Sequence, residues 1–185
     1  MKPIDTSDLR AKLGLVDQFV VLGVAQMWGA QKGLNVFVEM AKKCPNYKFV
    51  LVGGMPEGVP VLPHNIMTVG VTSSVEELIA YYSMADVFFN PSKRETFGKV
   101  TAESLSCGTP VIGYNVTATP ELIVDGCGYV IEPNDVDAAV RCLSEVCNKG
   151  KSFYSTNCRD FATSMFDKNV LIKEYINLYD TLVKS

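Results

Sequence analysis

Two acidic residues, Glu95 and Glu103, stand eight positions apart and could together hold a polar ligand. The apolar run 86–89 before them predicts a buried strand, and the Phe97-Gly98 turn between them predicts the start of a helix. Carboxylates accept strong hydrogen bonds from hydroxyls, and free backbone amides at a helix start attract phosphate. The segment therefore predicts a site for a ligand with hydroxyls and phosphates, at the carboxyl end of a parallel sheet.

The residues between the two acids suggest how such a ligand would lie. Gly98 has no Cβ, so a phosphate can approach the backbone closely there. Glu103 lies about one helical turn beyond Lys99 on roughly the same face, within reach of a ribose whose phosphates sit at the helix start. Glu95 precedes the helix and could meet a sugar. A ribose, a diphosphate and a sugar together make a nucleotide-sugar.

The spacing from Glu95 to Glu103 resembles the E-x7-E motif of retaining GT-B glycosyltransferases, specifically glycosyltransferase family 4 (glycosyl transferases group 1). That motif alone is a weak signal, but further segments of the family occur in order, and the likeness runs from about Val20 to the C-terminus. These segments are Lys32-Gly33-Leu34, Asn90-Pro91-Ser92, Cys107-Gly108-Thr109-Pro110-Val111-Ile112 and residues 119–133. The resemblance implies the C-terminal, donor-binding half of a two-domain enzyme.

The resemblance also implies a reaction and a role for each residue. A sugar would pass from a UDP- or GDP-sugar to a glycan, a lipid or another acceptor, with its anomeric configuration retained. Glu95 is the implied catalytic residue, which would stabilise charge at the anomeric centre of the sugar. Glu103 would bind the ribose, Lys32 and the amides of the motif would hold the diphosphate, and the base would meet backbone near Val71. The implied donor-binding residues are Lys32, Val71, Thr96, Phe97, Gly98, Lys99 and Glu103.

Asp135 and Asp137 form a D-x-D sequence, which binds metal in a different glycosyltransferase fold. Here it follows Pro133-Asn134 at a predicted helix start, where N-cap and first-turn roles explain both acids. Cations and helix termini typically neutralise the diphosphate in GT-B enzymes, so the resemblance implies no metal and no other cofactor.

Met27 departs from the family pattern, because many members carry an arginine five residues before the phosphate-binding lysine. Either Arg94 or Lys99 compensates, or donor affinity is lower, or the site is degenerate. The alternative function is therefore a non-catalytic nucleotide-sugar-binding or regulatory module. A nicotinamide-dependent enzyme is a further alternative, but no G-x-G-x-x-G follows the first predicted strand.

Composition limits the partners of this 185-residue chain, which is 48% apolar with a formal charge of −3. That charge argues against nucleic-acid binding and gives no support to a basic membrane-docking surface. We expect no membrane span, because no apolar stretch approaches about 20 residues, and no signal peptide, because the first residues lack an apolar h-region. The resemblance implies an N-terminal acceptor-binding domain missing from this chain, through which any membrane contact would run. We expect a cytoplasmic protein, peripheral at most at the inner face of the membrane, with six reduced cysteines.

The predicted elements must bring these residues together. Residues 1–17 are polar and mixed, so we expect a lead-in or linker, with the domain spanning 18–185. Strands alternate with helices up to about residue 131, which predicts an α/β fold with a Rossmann-like, doubly wound parallel sheet. The predicted strands are 19–25, 47–52, 66–71, 87–89, 110–113 and 128–131. The predicted helices are 33–43, 74–84, 98–107, 120–124, 135–148, 152–166 and 169–183.

Overall fold

A computed structural model describes residues 1–59 and 61–184 of the chain, and its centre is a parallel sheet. The strands are β1 (Val20–Met27), β2 (Lys48–Gly54), β3 (Ile66–Val69), β4 (Val87–Asn90), β5 (Val111–Tyr114) and β6 (Gly128–Ile131). Their order is β3-β2-β1-β4-β5-β6, and every neighbouring pair is parallel. The order reverses between β1 and β4, and a ligand site is expected at such a switch point.

Helices connect the strands, and the predicted doubly wound α/β fold is confirmed. The helices are α1 (Ser7–Lys12), α2 (Leu34–Lys43), α3 (Val75–Met84), α4 (Lys99–Ser106), α5 (Thr119–Leu122), α6 (Val136–Lys149), α7 (Lys151–Phe166) and α8 (Lys168–Lys184). Most bounds lie within one or two residues of the predicted ones. The third strand ends at Val69 instead of Val71, because Gly70 and Val71 already belong to the turn that follows.

The central strands are buried on both faces, which explains their continuous apolar sequences. All four residues of β4 and of β5 are buried. Phe37 of α2 lies at the centre of the core, with its ring centroid 6.5 Å from that of Phe49 and 5.2 Å from that of Phe89. Edge-to-face pairs of this kind add about 0.5–1.5 kcal/mol each beyond the burial of their area.

Residues 1–17, expected as a lead-in or linker, include α1 and pack against α3. The Arg10 guanidinium donates to the Met84 carbonyl at 2.6 Å and to the Asp86 carboxylate at 2.7 Å. Leu15 is fully buried in the core. Sequence patterns gave no sign of this helix, because it is one and a half turns long and buries none of its own residues.

The D-x-D acids have the structural roles that the sequence predicts for them. The Asp135 carboxylate caps α6 by accepting a hydrogen bond from the Ala138 amide at 2.8 Å. Asp137, in the first turn, forms an ion pair with Lys43 of α2 at 2.6 Å. Both acids therefore act at the start of α6, on the face of the sheet that carries α2.

The last two helices differ in their packing. α7 packs against α4 and buries Tyr154, Cys158 and Ala162, whereas α8 leaves most of its apolar side chains exposed. Within 1–59 and 61–184, no helix is both long enough and apolar enough to cross a membrane.

Candidate functional site

A cavity of about 270 Å³ lies at the carboxyl edge of the sheet, where the end of β1 meets the loop after β4 and the start of α4. Its lining residues are Val24, Ala25, Gln26, Lys32, Glu95, Thr96, Phe97, Gly98, Lys99 and Val100. Six of the eight residues that the sequence analysis assigned to the site are among them. The other two, Val71 and Glu103, do not line this cavity.

Lys32 reaches the cavity from a short 3-10 turn, Ala30–Lys32, that ends at Gly33. Gly33 has a φ of 73°, and a Cβ there would lie 2.6 Å from the Cγ of Pro91, so only glycine fits. The Lys32 ammonium donates to the Ser92 hydroxyl at 3.2 Å and lies 3.7 Å from Oε2 of Glu95. The cation and the carboxylate therefore share one wall of the cavity.

Ser92 anchors the loop that carries Glu95, a role that the sequence analysis missed. Its hydroxyl donates to the Arg94 carbonyl at 3.0 Å while accepting from Lys32, and its amide donates to the Asn90 side chain at 3.3 Å. Asn90 in turn donates to the Thr101 hydroxyl of α4 at 3.2 Å. These buried bonds tie the loop to the end of β4 and to the helix, so that Glu95 stands on a rigid support.

The Glu95 carboxylate is held with one oxygen free of hydrogen bonds. The Glu95 amide donates to the Thr117 hydroxyl at 3.0 Å, which fixes the backbone from the neighbouring loop. The side chain is 15% exposed, and its buried Oε2 has no hydrogen-bond partner in the described chain. An unsatisfied buried acceptor costs about 1–3 kcal/mol, and more when it is charged. A ligand hydroxyl that donates to this oxygen would remove that cost.

The start of α4 also lines the cavity, next to Glu95, and favours an anion. Gly98 caps the helix at a φ of 82°, and a Cβ there would lie 2.5 Å from the Cδ1 of Leu122. The first turn contains no acidic residue, and its first position is Lys99. Unpaired amides, the helix dipole and two lysines, Lys99 and Lys32, therefore act together on any group in the cavity.

Glu103 lies one turn further along α4, half-buried between α4 and α3. The Tyr82 hydroxyl donates to its Oε2 at 3.0 Å. Burial raises the pKa of the Glu103 carboxyl above its ordinary value, although the Tyr82 hydrogen bond and the charge of Lys99 oppose that shift. The pKa of Tyr82 is raised well above its ordinary value, first by burial and then by the charge of Glu103, so its hydroxyl remains a donor.

Val71, where the base was predicted to bind, lies in the turn after β3 and is 69% exposed. The structure neither brings it into the cavity nor blocks access to it, so its role stays a prediction. Trp28 has a packing role, because it is buried and its indole donates to the Val52 carbonyl at 3.1 Å.

Met27, which stands in the place of the family's arginine, supplies no charge at the end of β1. It is 57% exposed and lies against Gly54. Of the two residues that could compensate for the missing cation, Lys99 lines the cavity and Arg94 is not among its lining residues.

A larger cavity of about 500 Å³ lies between α2 and the loop after β2. Its walls are mostly apolar, and its charged lining residues are Glu57 and Lys93. It lacks the close pairing of a cation, a carboxylate and a helix start that is found in the smaller cavity. The smaller cavity is therefore the better candidate for chemistry.

Comparison with known proteins places the chain in a family. The family model described as "Glycosyl transferases group 1" matches residues 18–149. Among curated proteins, the D-inositol 3-phosphate glycosyltransferase of Mycobacterium sp. (strain KMS) is 27% identical over 161 residues, which cover 80% of this chain and 37% of that protein. The chain therefore spans well under half the length of this relative.

Two solved structures share the fold over most of the chain. Alr3699/HepE from Anabaena, solved in complex with UDP, matches with a TM-score of 0.83 at 20% identity. The match covers 100% of this chain and 54% of the HepE chain. The C-terminal domain of a group 1 family glycosyltransferase, LpcC from Francisella tularensis, has a TM-score of 0.73 at 22% identity. That match covers 90% of this chain and 96% of the LpcC domain, so the fold found here is that of the C-terminal half alone.

Proposed function

This chain belongs to the group 1 glycosyltransferases and has the fold of the C-terminal domain of a GT-B enzyme, and on that premise we propose that it is the donor-binding half of a retaining glycosyltransferase. Its donor is a UDP- or GDP-sugar, and its acceptor is a glycan, a lipid or another molecule bound by a second domain. The sugar is transferred with its anomeric configuration retained.

The observation that carries this proposal is the Oε2 of Glu95, in a cavity at the start of α4, which forms an ion pair with the Lys32 ammonium at 3.7 Å but has no hydrogen-bond donor among the described residues. A carboxylate so placed hydrogen-bonds the donor sugar and stabilises the positive charge that grows at the anomeric carbon in the transition state. The leaving diphosphate gains negative charge in the same step. The Lys32 ammonium and the first amides of α4 stabilise that charge.

Metal independence is part of the proposal. The cavity already offers two ammonium groups and a helix N-terminus for the diphosphate. These groups supply the charge neutralisation that a divalent cation provides in other transferases. Asp135 and Asp137 stand at the start of α6, where one caps the helix and the other pairs with Lys43.

A second domain is needed to complete the site. The chain spans 37% of the mycobacterial relative, and α8 exposes apolar side chains along its length. They include Val170, Ile172, Tyr175, Ile176, Leu178 and Tyr179. Large exposed apolar surfaces usually mark protein interfaces. The N-terminal acceptor-binding domain would cover it, close over the cavity and exclude water from the reaction. Membrane contact at the cytoplasmic face, if the acceptor is a lipid, would run through that domain.

Thermal-shift screening against UDP, GDP and their sugar conjugates tests donor binding first. A ligand present at one hundred times its Kd stabilises the folded chain by about 2.7 kcal/mol, which is readily measured. We expect one nucleotide series to bind in excess chelator with undiminished affinity. Binding that disappears on chelation and returns with Mn²⁺ or Mg²⁺ would contradict metal independence, and binding to neither series would contradict the donor role.

A transfer assay then tests the half-enzyme proposal. We expect no turnover by this chain alone and turnover once the N-terminal domain is restored. Glu95→Ala should abolish most of that turnover, whereas Asp125→Asn, in the exposed turn after α5, should leave it unchanged. Robust turnover by this chain alone would contradict the proposal.

A non-catalytic nucleotide-sugar-binding or regulatory module is the second candidate, and Met27 favours it. The position offers an exposed thioether where many family members have a guanidinium, so one cation of the donor site is missing. A two-domain protein that binds donor but never transfers its sugar would support this function. Met27→Arg would then be the first variant to test for recovered transfer.

A further inference from the structure

Tyr82 of α3 reaches across to α4, outside the donor cavity. Its side chain is fully buried, and its ring packs edge-on against Phe88 at a centroid distance of 5.6 Å. Its backbone carbonyl accepts a hydrogen bond from the Thr109 hydroxyl at 2.6 Å. The phenol is therefore fixed by packing around the ring and by a bond at its backbone, and its hydroxyl projects to the Glu103 carboxylate at 3.0 Å.

The hydroxyl of Tyr82 leaves most of the Glu103 carboxylate available. Within 1–59 and 61–184, it is the one hydrogen-bond donor to the Glu103 side chain, and it engages only Oε2. An ionised carboxylate has about four acceptor positions on its two oxygens, so one bond leaves the others for a ligand. A glutamate without such an anchor samples about three staggered wells at each of χ1 and χ2, when these torsions are free. The phenol removes that freedom before any ligand binds.

We propose that Tyr82 is a positioning residue that holds Glu103 ready to bind the two ribose hydroxyls of the donor nucleotide. The inference rests on the proposed function, because it assigns to Glu103 the ribose of that same donor. It adds a residue that contacts no substrate atom and acts only through the carboxylate. Tyr82 thereby contributes to the preference for a ribonucleotide over a nucleotide that lacks the diol.

Tyr82→Phe is the central test, because it removes the hydroxyl and keeps the ring that packs on Phe88. The probe is UDP or GDP, whichever binds the wild-type chain, and the matched ligand is its 2′,3′-dideoxy analogue. Freeing one or two torsions of Glu103 should weaken ribonucleotide binding roughly three- to tenfold. The affinity for the dideoxy analogue should stay the same, since that ligand never meets Glu103.

Two further variants separate positioning from a structural role. Tyr81→Phe is the matched control, because Tyr81 is the next residue of α3, is also buried and does not donate to Glu103. It should leave the affinity for both ligands unchanged. In a Glu103→Ala background, adding Tyr82→Phe should cause no further loss, because the group that Tyr82 positions is already gone.

The outcomes distinguish this inference from the proposed function. If Glu103→Ala weakens ribonucleotide binding and Tyr82→Phe does not, the positioning role is wrong and the donor site stands. If Tyr82→Phe weakens both ligands equally, its effect is on the fold and the positioning role is again wrong. If Glu103→Ala changes neither affinity, or if neither nucleotide binds the wild-type chain, the ribose role and the inference fail together.

Discussion

The loop before α4 and the helix itself each carry one acid of the motif, and the two acids have opposite environments. Glu95 lies beside a lysine at a cavity wall, and its Oε2 has no hydrogen-bond donor among the described residues. Glu103 is half-buried between two helices and accepts a hydrogen bond from a buried phenol. Two glutamates eight positions apart therefore have surroundings that favour different kinds of contact. Spacing locates the two carboxylates, but their surroundings decide what each can do.

We expect this difference to give the two acids different roles in the proposed reaction. A carboxylate oxygen that lacks a hydrogen-bond donor gains most when positive charge appears close by, which happens only in the transition state. A carboxylate that is already anchored binds hydroxyls equally well before and during reaction. Glu95 should therefore govern kcat, and Glu103 should govern donor affinity.

Glu95→Gln should have the largest effect. The amide keeps the size of the side chain but cannot stabilise positive charge, so we expect kcat of the two-domain enzyme to fall roughly 100- to 1,000-fold, the range for loss of one transition-state-stabilising group. Donor affinity, measured by calorimetry, should change little. A loss of affinity as large as the loss of kcat would remove the distinction between the two acids.

Glu103→Ala should show the reverse pattern. Loss of hydrogen bonds from the ribose hydroxyls to a charged group should weaken nucleotide binding by about 1.5–3 kcal/mol. Turnover at saturating donor should fall much less than it does in Glu95→Gln. Calorimetry with UDP or GDP measures the first effect, and a transfer assay at high donor concentration measures the second. Equal nucleotide affinity in the variant and the wild type would contradict the ribose role.

The two cations near Glu95 should differ as well, which sharpens the description of its side of the site. Lys99 lines the cavity and Arg94 does not, so Lys99→Ala should weaken diphosphate binding by about 0.2–1 kcal/mol, the range for an exposed charge pair. Arg94→Ala is the matched control and should have little effect. The loss in Lys99→Ala should shrink as salt is raised. A larger effect of Arg94→Ala would mean that the loop moves to place that guanidinium on the ligand.

The sequence alone was sufficient to predict the fold and most of the residues that line the cavity, because the sequence patterns that indicate them are local. Continuous apolar runs marked the strands that are buried on both faces, and Asp135 marked the start of α6 through its own capping bond. The contacts that set the two acids apart are not local. Ser92 bonds to a lysine 60 positions away, and Tyr82 bonds to a glutamate 21 positions away. No periodicity or spacing reports such pairs, since they arise only when the sheet brings its loops and helices together.

Glu103→Gln should have the smallest effect, and its sign tests the environment of Glu103 directly. The side-chain carbonyl of the glutamine can still accept the Tyr82 hydrogen bond, so the change removes little except the charge.

Burial raises the pKa of Glu103 in the folded chain, so the folded state binds the proton more tightly than the unfolded state does. The contribution of Glu103 to the free energy of unfolding therefore falls as the pH rises from the ordinary glutamate value to the raised one, and the cost persists above it. At pH 7 the variant should have the higher Tm, and 1 kcal/mol corresponds to about 2–4 °C in a domain of this size. The difference should disappear as the pH is lowered below the ordinary value. A variant less stable than the wild type at pH 7 would mean that the Glu103 charge is stabilised in the folded chain, and the contrast with Glu95 would then be wrong.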